Sequence, residues 1–133
     1  HEHVFPGLVN QPRHWVRSNP GASEIAFLMR DDRGVVQLWL ISPQGGEPRQ
    51  LTRCATDIQS AFNWHPSGKW LGFVLQNKIA CCDALTGEID FLTDHHGNPP
   101  SGDAIVFSPD GQRVAWMEDV EGFRQLWVTE TRR

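Results

Sequence analysis

The stretch that decides the fold is SPDGQRVAWMEDVEGFRQLWV, residues 108–128, in which a turn sequence precedes two short apolar runs. Pro-Asp-Gly suits a tight turn, because Pro109 presets φ and Gly111 accepts a positive φ. Comparable turn sequences, NPGA and HPSG, occupy residues 19–22 and 65–68. The prolines of the three turns recur at a spacing of roughly 45 residues, which indicates an internal repeat.

Each repeat contains the same succession of short apolar runs. One run precedes the turn and two follow it, and the first two repeats end on a Leu-Thr pair at residues 51–52 and 92–93. Four short strands in a repeat of this length are typical of a β-propeller blade. No longer run has a 3.6-residue period, so helices beyond a single turn are not expected. A β-sandwich is the alternative, but it would not repeat one turn sequence in one register.

We therefore predict an all-β chain of three consecutive four-stranded antiparallel blades at residues 13–52, 57–93 and 101–131, the last without its outer strand. Residues 1–133 together form one partial propeller domain. Three blades cannot close a ring, since propellers have roughly four to eight. The chain is thus predicted to be a fragment of a larger ring, and its open sheet faces and strand edge predict that it self-associates.

The repeat resembles that of the TolB-like, or WD40-like, branch of β-propellers, whose blades carry Ser-Pro-Asp-Gly before an apolar strand and a Leu-Trp strand. The sequences SPDG, VAW and QLW at residues 108–111, 114–116 and 125–127 carry this resemblance best. It implies a fold, and it says little about function, because one fold carries many functions.

Longer stretches, PRHWVR, AFLMRDD and QLWLISPQGG at residues 12–17, 26–32 and 37–46, are similar to the C-terminal part of an uncharacterised enterobacterial propeller protein. A more distant resemblance is to the cytoplasmic oligogalacturonate lyases. In that family a Gln and several His hold a metal ion, and Gln11 and His14 match the first part of the pattern. Val16 stands where the second His of the pattern would be.

Composition excludes several classes of partner. The net charge is −4 with both signs interspersed, and no basic patch indicates nucleic acid. No stretch of 18 apolar residues is present, so no membrane span is expected. The three cysteines, of which Cys81 and Cys82 are adjacent, are not the framework of a disulfide-rich domain. We therefore predict a cytoplasmic protein, with the periplasm as the alternative, and we expect Cys81 and Cys82 to pack in the blades.

Candidate ligand-binding residues follow from propeller geometry, in which the loops between blades and the entries of the first strands share one face. His14 and Asp103 occupy the same repeat position as Ser60, at the strand entry. His65 lies in a turn at the opposite end, and we assign it a structural role. The predicted ligand-binding residues on the loop face are Arg13, His14, Arg53, His95, His96 and Asp103.

Two functions remain open from the sequence. The first is a propeller scaffold that binds a protein or a small-molecule ligand through its loop face. The alternative, implied by the resemblance to the lyases, is a metal-dependent enzyme acting on uronate-type oligosaccharides, with Gln11 and His14 as ligands of a divalent transition metal. In either case we predict that the tryptophans at the repeat positions pack between blades rather than stack on sugars: Trp39, Trp64, Trp70, Trp116 and Trp127.

Overall fold

The computed structural model describes residues 17–94, 100 and 105–131, which form three antiparallel sheets and no helix. Each sheet is one blade, and its strands lie side by side in the order of the chain. Blade 1 contains β1 (Arg17–Ser18), β2 (Ile25–Arg30), β3 (Val36–Ile41) and β4 (Arg49–Gln50). Blade 2 contains β5 (Asn63–Trp64), β6 (Trp70–Leu75), β7 (Lys78–Asp83) and β8 (Ile89–Phe91). Blade 3 contains β9 (Val106–Phe107), β10 (Arg113–Val120) and β11 (Phe123–Glu130).

The predicted fold class is confirmed, and blade 3 has three strands within the described part of the chain. The repeated turn sequences form equivalent turns between the first and second strands of each blade. In blades 2 and 3, Gly68 and Gly111 both have φ of 73°, and each N–H donates to the carbonyl three residues earlier at 2.8 Å. In blade 1, Ala22 takes the same place with φ of 55°. A left-handed residue closes all three turns, and glycine adopts that conformation at the lowest cost.

Apolar cores lie between neighbouring blades, because alternate side chains of each strand point to opposite faces of its sheet. Leu28, Leu38 and Leu40 of blade 1 are at most 2% exposed and pack against blade 2. The other face of blade 2 packs against blade 3 in a second core that contains Trp70 and Trp116. Burial of this kind contributes roughly 25 cal/mol per Å² of apolar surface, so these cores provide the main force that holds the blades together.

The three cysteines are free and buried. Cys82 belongs to the core between blades 1 and 2, and Cys81 belongs to the core between blades 2 and 3. Burial raises the pKa of the Cys54 thiol. The prediction that Cys81 and Cys82 pack in the blades is confirmed.

The face of blade 3 that points away from blade 2 is apolar and open. Leu126 and Val128 are 66% and 56% exposed, whereas Leu38 and Leu40, at the equivalent positions of blade 1, are buried. We call this surface the open face of blade 3, and it consists of Val106, Ala115, Met117, Leu126 and Val128.

Candidate functional site

Among the residues predicted to form the site, Arg53 lies in the described part of the chain. Its side chain is exposed, and its Nη1 donates to the Gln50 carbonyl at 3.5 Å. Arg53 lines a groove of about 420 Å³ at the rim of the propeller, which Arg49 and Glu88 also line. The other predicted residues lie outside the described part of the chain, and their assignments stay predictions: Gln11, Arg13, His14, His95, His96 and Asp103.

Ser60 occupies the repeat position that it shares with His14 and Asp103, and it lies within the described part of the chain. Its side chain is buried rather than lining an open channel, since Ser60 is 2% exposed. The Ser60 Oγ accepts a hydrogen bond from the Val74 N–H at 2.8 Å and donates one to the Ala61 carbonyl at 2.7 Å. In blade 2 this position therefore connects the entry of the first strand to β6.

A small pocket lies between blades 2 and 3 near the loop face. Its volume is about 140 Å³. Trp116 and Trp127 lie directly opposite each other in the pairing of β10 with β11, so both indoles are on the face that points to blade 2. We call this the indole pocket, and its lining residues are Asn77, Thr93, Asp94, Pro100, Trp116, Glu118 and Trp127.

The indole pocket combines aromatic and acidic groups. The Trp116 Nε1–H donates to Glu118 Oε1 at 3.1 Å, which fixes the carboxylate beside the buried indole. Trp127 is 45% exposed, so its ring is accessible from solvent. Asp94 is the second carboxylate of the lining, which contains no Lys or Arg among the described residues. Aromatic faces beside carboxylates attract a positively charged group.

The turn between β6 and β7 positions the rim of the indole pocket. Gln76 and Asn77 both have positive φ, of 52° and 61°, as a two-residue hairpin turn with matching twist requires. Gln59 holds this turn through two hydrogen bonds. Its Oε1 accepts from the Asn77 N–H at 2.8 Å, and its Nε2 donates to Asn77 Oδ1 at 3.2 Å. The Asn77 amide is therefore fixed before any ligand arrives.

Sequence reasoning missed the indole pocket, because it assigned Trp116 and Trp127 together to blade packing. Trp116 does pack between blades, at 8% exposure. Trp127 is 45% exposed, on a strand with no outer neighbour among the described residues. The sequence offered no signal for this difference, because Trp39 follows the same Gln-Leu pair as Trp127.

Metal ligation was the second predicted property of the site. Within residues 17–94, 100 and 105–131, no group of three or more His, Cys, Asp or Glu side chains is arranged to hold a metal ion. The predicted ligands Gln11 and His14 lie outside those residues, and the metal site therefore stays a prediction.

Antiparallel four-stranded sheets that pack face to face through apolar cores are the blades of a β-propeller, and the turn and strand sequences of this chain resemble those of the TolB-like propellers. The chain is 70% identical over 133 residues to the uncharacterised protein YidR of Escherichia coli (strain K12). The match includes 100% of this chain and 31% of that protein. No family model matches the chain.

Solved structures show the same fold. TolB from Acinetobacter baumannii superposes with a TM-score of 0.64 and 21% identity, over 81% of this chain and 28% of that chain. An oligogalacturonate lyase in complex with manganese superposes with a TM-score of 0.61 and 15% identity, over 86% of this chain and 34% of that chain. The resemblances inferred from sequence are thus confirmed at the level of fold, and the chain spans about a third of the length of each of these proteins.

Within the described residues, no helix is long and apolar enough to cross a membrane.

Proposed function

We propose that the chain is part of a propeller scaffold that binds a protein or a small ligand through its loop face, with the indole pocket as a contact site. The observation that supports the proposal is the arrangement of Trp116, Trp127 and Glu118 beside Asp94 in a preformed pocket. The loops that contain His95, His96 and Asp103 adjoin this pocket in sequence and would extend the binding surface.

The group that fits this pocket is a single cation. A volume of about 140 Å³ is well below the 300–1,000 Å³ of typical small-molecule pockets, so it accommodates one head group. The side chain of Lys or Arg from a protein partner, or the ammonium group of a small ligand, has suitable size and charge. Two carboxylates and an accessible indole would stabilise such a group by roughly 1–2 kcal/mol.

Binding of a simple cation tests this proposal. We expect tetramethylammonium to shift the indole Nε1–H resonances of Trp116 and Trp127 in a saturable manner, and neopentyl alcohol, which has similar shape without charge, to shift them much less. Glu118→Gln should weaken the interaction about fivefold. Asp119→Asn is the matched control, because Asp119 points to the opposite face of β10, where it pairs with Arg124 at 3.6 Å. Equal shifts from the cation and the alcohol would refute a charge-selective site.

We also infer that the protein is cytoplasmic. The support is that Cys54, Cys81 and Cys82 are all free thiols, which is common in a reducing compartment. Cell fractionation with an antibody against the chain tests the inference, and recovery in the periplasmic fraction would contradict it.

A further inference from the structure

The hairpin of β10 and β11 rises above the hairpin of blade 2 at the loop face. β10 and β6 both begin five residues after the start of the preceding turn, but β10 has eight residues and β6 has six. The two extra residues are therefore at the loop-face end, where they raise the turn by about 7 Å. Glu121 and Gly122 close the hairpin with φ of 52° and 84°, as a two-residue turn of matching twist requires.

The last cross-strand pair of this hairpin lies on the side of blade 2. Val120 opposite Phe123 follows Trp116 opposite Trp127 by four residues, and side chains alternate between the faces of a sheet, so both pairs are on one face. Blade 2 covers Trp116, which is 8% exposed, whereas Phe123 is 74% exposed because β6 and β7 end below it. The shorter hairpin of blade 2 thus leaves an aromatic ring uncovered above the indole pocket. We call Val120 and Phe123 the apolar tip.

The exposure of Phe123 does not depend on the outer edge of blade 3. Eight residues after the start of its turn, each blade has an equivalent cross-strand pair: Phe27 with Trp39, Phe73 with Ala80, and Trp116 with Trp127. The outer strands β4 and β8 pair from Trp39 and Ala80 onward, so neither reaches the position of Phe123. An outer strand of that kind would leave the apolar tip uncovered.

The indole pocket and the apolar tip offer two different contacts on one face. The pocket accommodates a cation, and the tip offers a small apolar surface above it. Glu118 and Gln125 lie between them, directly opposite each other. Gln125 is exposed, so its amide is available to hydrogen-bond with the backbone of a bound segment. A ligand that uses the whole face therefore carries a positive charge, an apolar group and a polar connection between them.

The distance between the two contacts specifies the spacing in such a ligand. Four residues of β11 separate Trp127 from Phe123, which corresponds to about 13 Å. The stem of a lysine side chain spans about 6 Å of this distance. The remaining length of about 7 Å is that of two residues in an extended chain, whose side chains point to the same side. A small ammonium compound is too short to reach both contacts.

We propose that the indole pocket and the apolar tip together bind an extended segment of a partner protein, in which a Lys and a large apolar residue stand two positions apart. The Lys side chain occupies the pocket beside Glu118 and Trp127, and the apolar side chain packs on Val120 and Phe123. The segment uses the same pocket, so this site rests on the proposed function. Charge favours a basic partner over a second copy of this chain, since the lining is acidic and the net charge of the chain is −4.

Capped peptides with alanine flanks test the proposal. The probe peptides carry Lys-Ala-Leu or Leu-Ala-Lys at the centre, and the reference peptides carry alanine in place of the leucine. The shift of the Trp127 Nε1–H resonance during titration measures the dissociation constant. We expect at least one probe peptide to bind about tenfold more tightly than its reference, because the leucine buries apolar surface on Phe123.

Variants of the chain assign this gain to the apolar tip. Phe123→Ser should abolish the tenfold advantage of the leucine and should change the affinity for tetramethylammonium less than twofold, because Phe123 does not line the indole pocket. Phe123→Leu should keep at least a threefold advantage. Leu85→Ser is the matched control, since Leu85 is 83% exposed at the opposite end of the blades, and it should leave both affinities unchanged.

The outcomes separate this site from the proposed function. Equal affinity of the probe and reference peptides, with tetramethylammonium still bound, would overturn the peptide site and leave the cation site in place. Failure of tetramethylammonium to bind would remove the cation site as well. Loss of tetramethylammonium binding in Phe123→Ser would show that the tip only supports the pocket. Loss of self-association in Phe123→Ser would assign the tip to contact between two copies.

Discussion

The ring of His65 joins blades 2 and 3 at the end of the propeller opposite the indole pocket. Its Nδ1 accepts from the Ser67 N–H at 3.1 Å, so Nε2 carries the proton and donates to the Gly111 carbonyl of the next blade at 2.8 Å. The ring also stacks on Trp70 with a centroid distance of 4.1 Å. A Cβ on Gly111 would lie 2.4 Å from His65 Nε2, so the close contact requires glycine there. The structural role predicted for His65 is confirmed.

We predict that His65→Ala lowers the free energy of unfolding by about 2–4 kcal/mol, because it removes a buried aromatic side chain and a hydrogen bond between blades. Urea denaturation followed by tryptophan fluorescence measures the change. Leu85→Ala is the control, since Leu85 is 83% exposed and should change stability by less than about 0.5 kcal/mol. A similarly small effect of His65→Ala would show that the contact between blades is dispensable.

Gln37 and Gln125 form a matched pair at one repeat position. Gln37→Leu should destabilise the chain by about 2–4 kcal/mol, because the backbone N–H and carbonyl of Cys54 lose their partner inside the protein. Gln125→Leu should change the free energy of unfolding by less than about 0.5 kcal/mol, because Gln125 is exposed. Thermal denaturation of both variants measures the difference, and equal losses would contradict the equivalence drawn between blades 1 and 3.

At the scale of the element, the turns of the blades could be predicted from the sequence, whereas the register of the paired strands could not. Pro-Asp-Gly and Pro-Ser-Gly specify their own backbone conformation, and the structure has them as turns. The register of the third strand of blade 2 could not be predicted from its apolar pattern, because β7 is buried on both faces and lacks alternation.

The turn between β2 and β3 depends on one carboxylate. Asp31 Oδ1 accepts from the N–H groups of Arg33 and Val35 at 2.9 and 3.0 Å, and Oδ2 accepts from Gln37 Nε2 at 3.1 Å. Desolvation raises the pKa of the Asp31 carboxyl, but these hydrogen bonds together with the nearby Arg33 guanidinium outweigh it and hold the pKa below its ordinary value of 3.8. The ionised form is therefore the one that stabilises the turn.

We predict that Asp31 contributes stability that is complete above its ordinary pKa and is lost as the pH falls through the lower pKa of the folded chain. The Tm of the unmodified chain should thus fall between about pH 4 and pH 2 more steeply than that of Asp31→Asn. Asp32→Asn, which changes the exposed neighbour, should keep the steep profile. Parallel profiles for all three proteins would show that Asp31 does not stabilise the turn through its charge.

At the scale of the whole molecule, the repetition of the blades could be predicted from the sequence, whereas the indole pocket could not. Repeat spacing and turn chemistry are local properties, so three blades with an incomplete third could be predicted from residues close in sequence. The indole pocket depends on Asn77, Asp94 and Trp127, which come from two blades and meet only when those blades pack. Arg53, one of the predicted ligand residues, follows the Leu-Thr pair of blade 1, in a connection where no repeat constrains the sequence.

The open face of blade 3 exposes apolar side chains that have buried equivalents in blade 1. In blade 1 the equivalent apolar face is covered by blade 2, whereas Val106, Leu126 and Val128 are all more than half exposed. A contiguous exposed apolar patch of this kind marks an interaction surface. We therefore predict that the 133-residue chain self-associates, as the sequence also suggested, and that the open face is the contact.

Sedimentation velocity tests this prediction. The sedimentation coefficient of the unmodified chain should rise with concentration, and a chain with both Leu126→Lys and Val128→Lys should remain monomeric, because two charges in the contact would have to be desolvated. Leu85→Lys introduces a charge at a separate exposed leucine and should not prevent association. A stable monomer at high concentration of the unmodified chain would contradict the prediction.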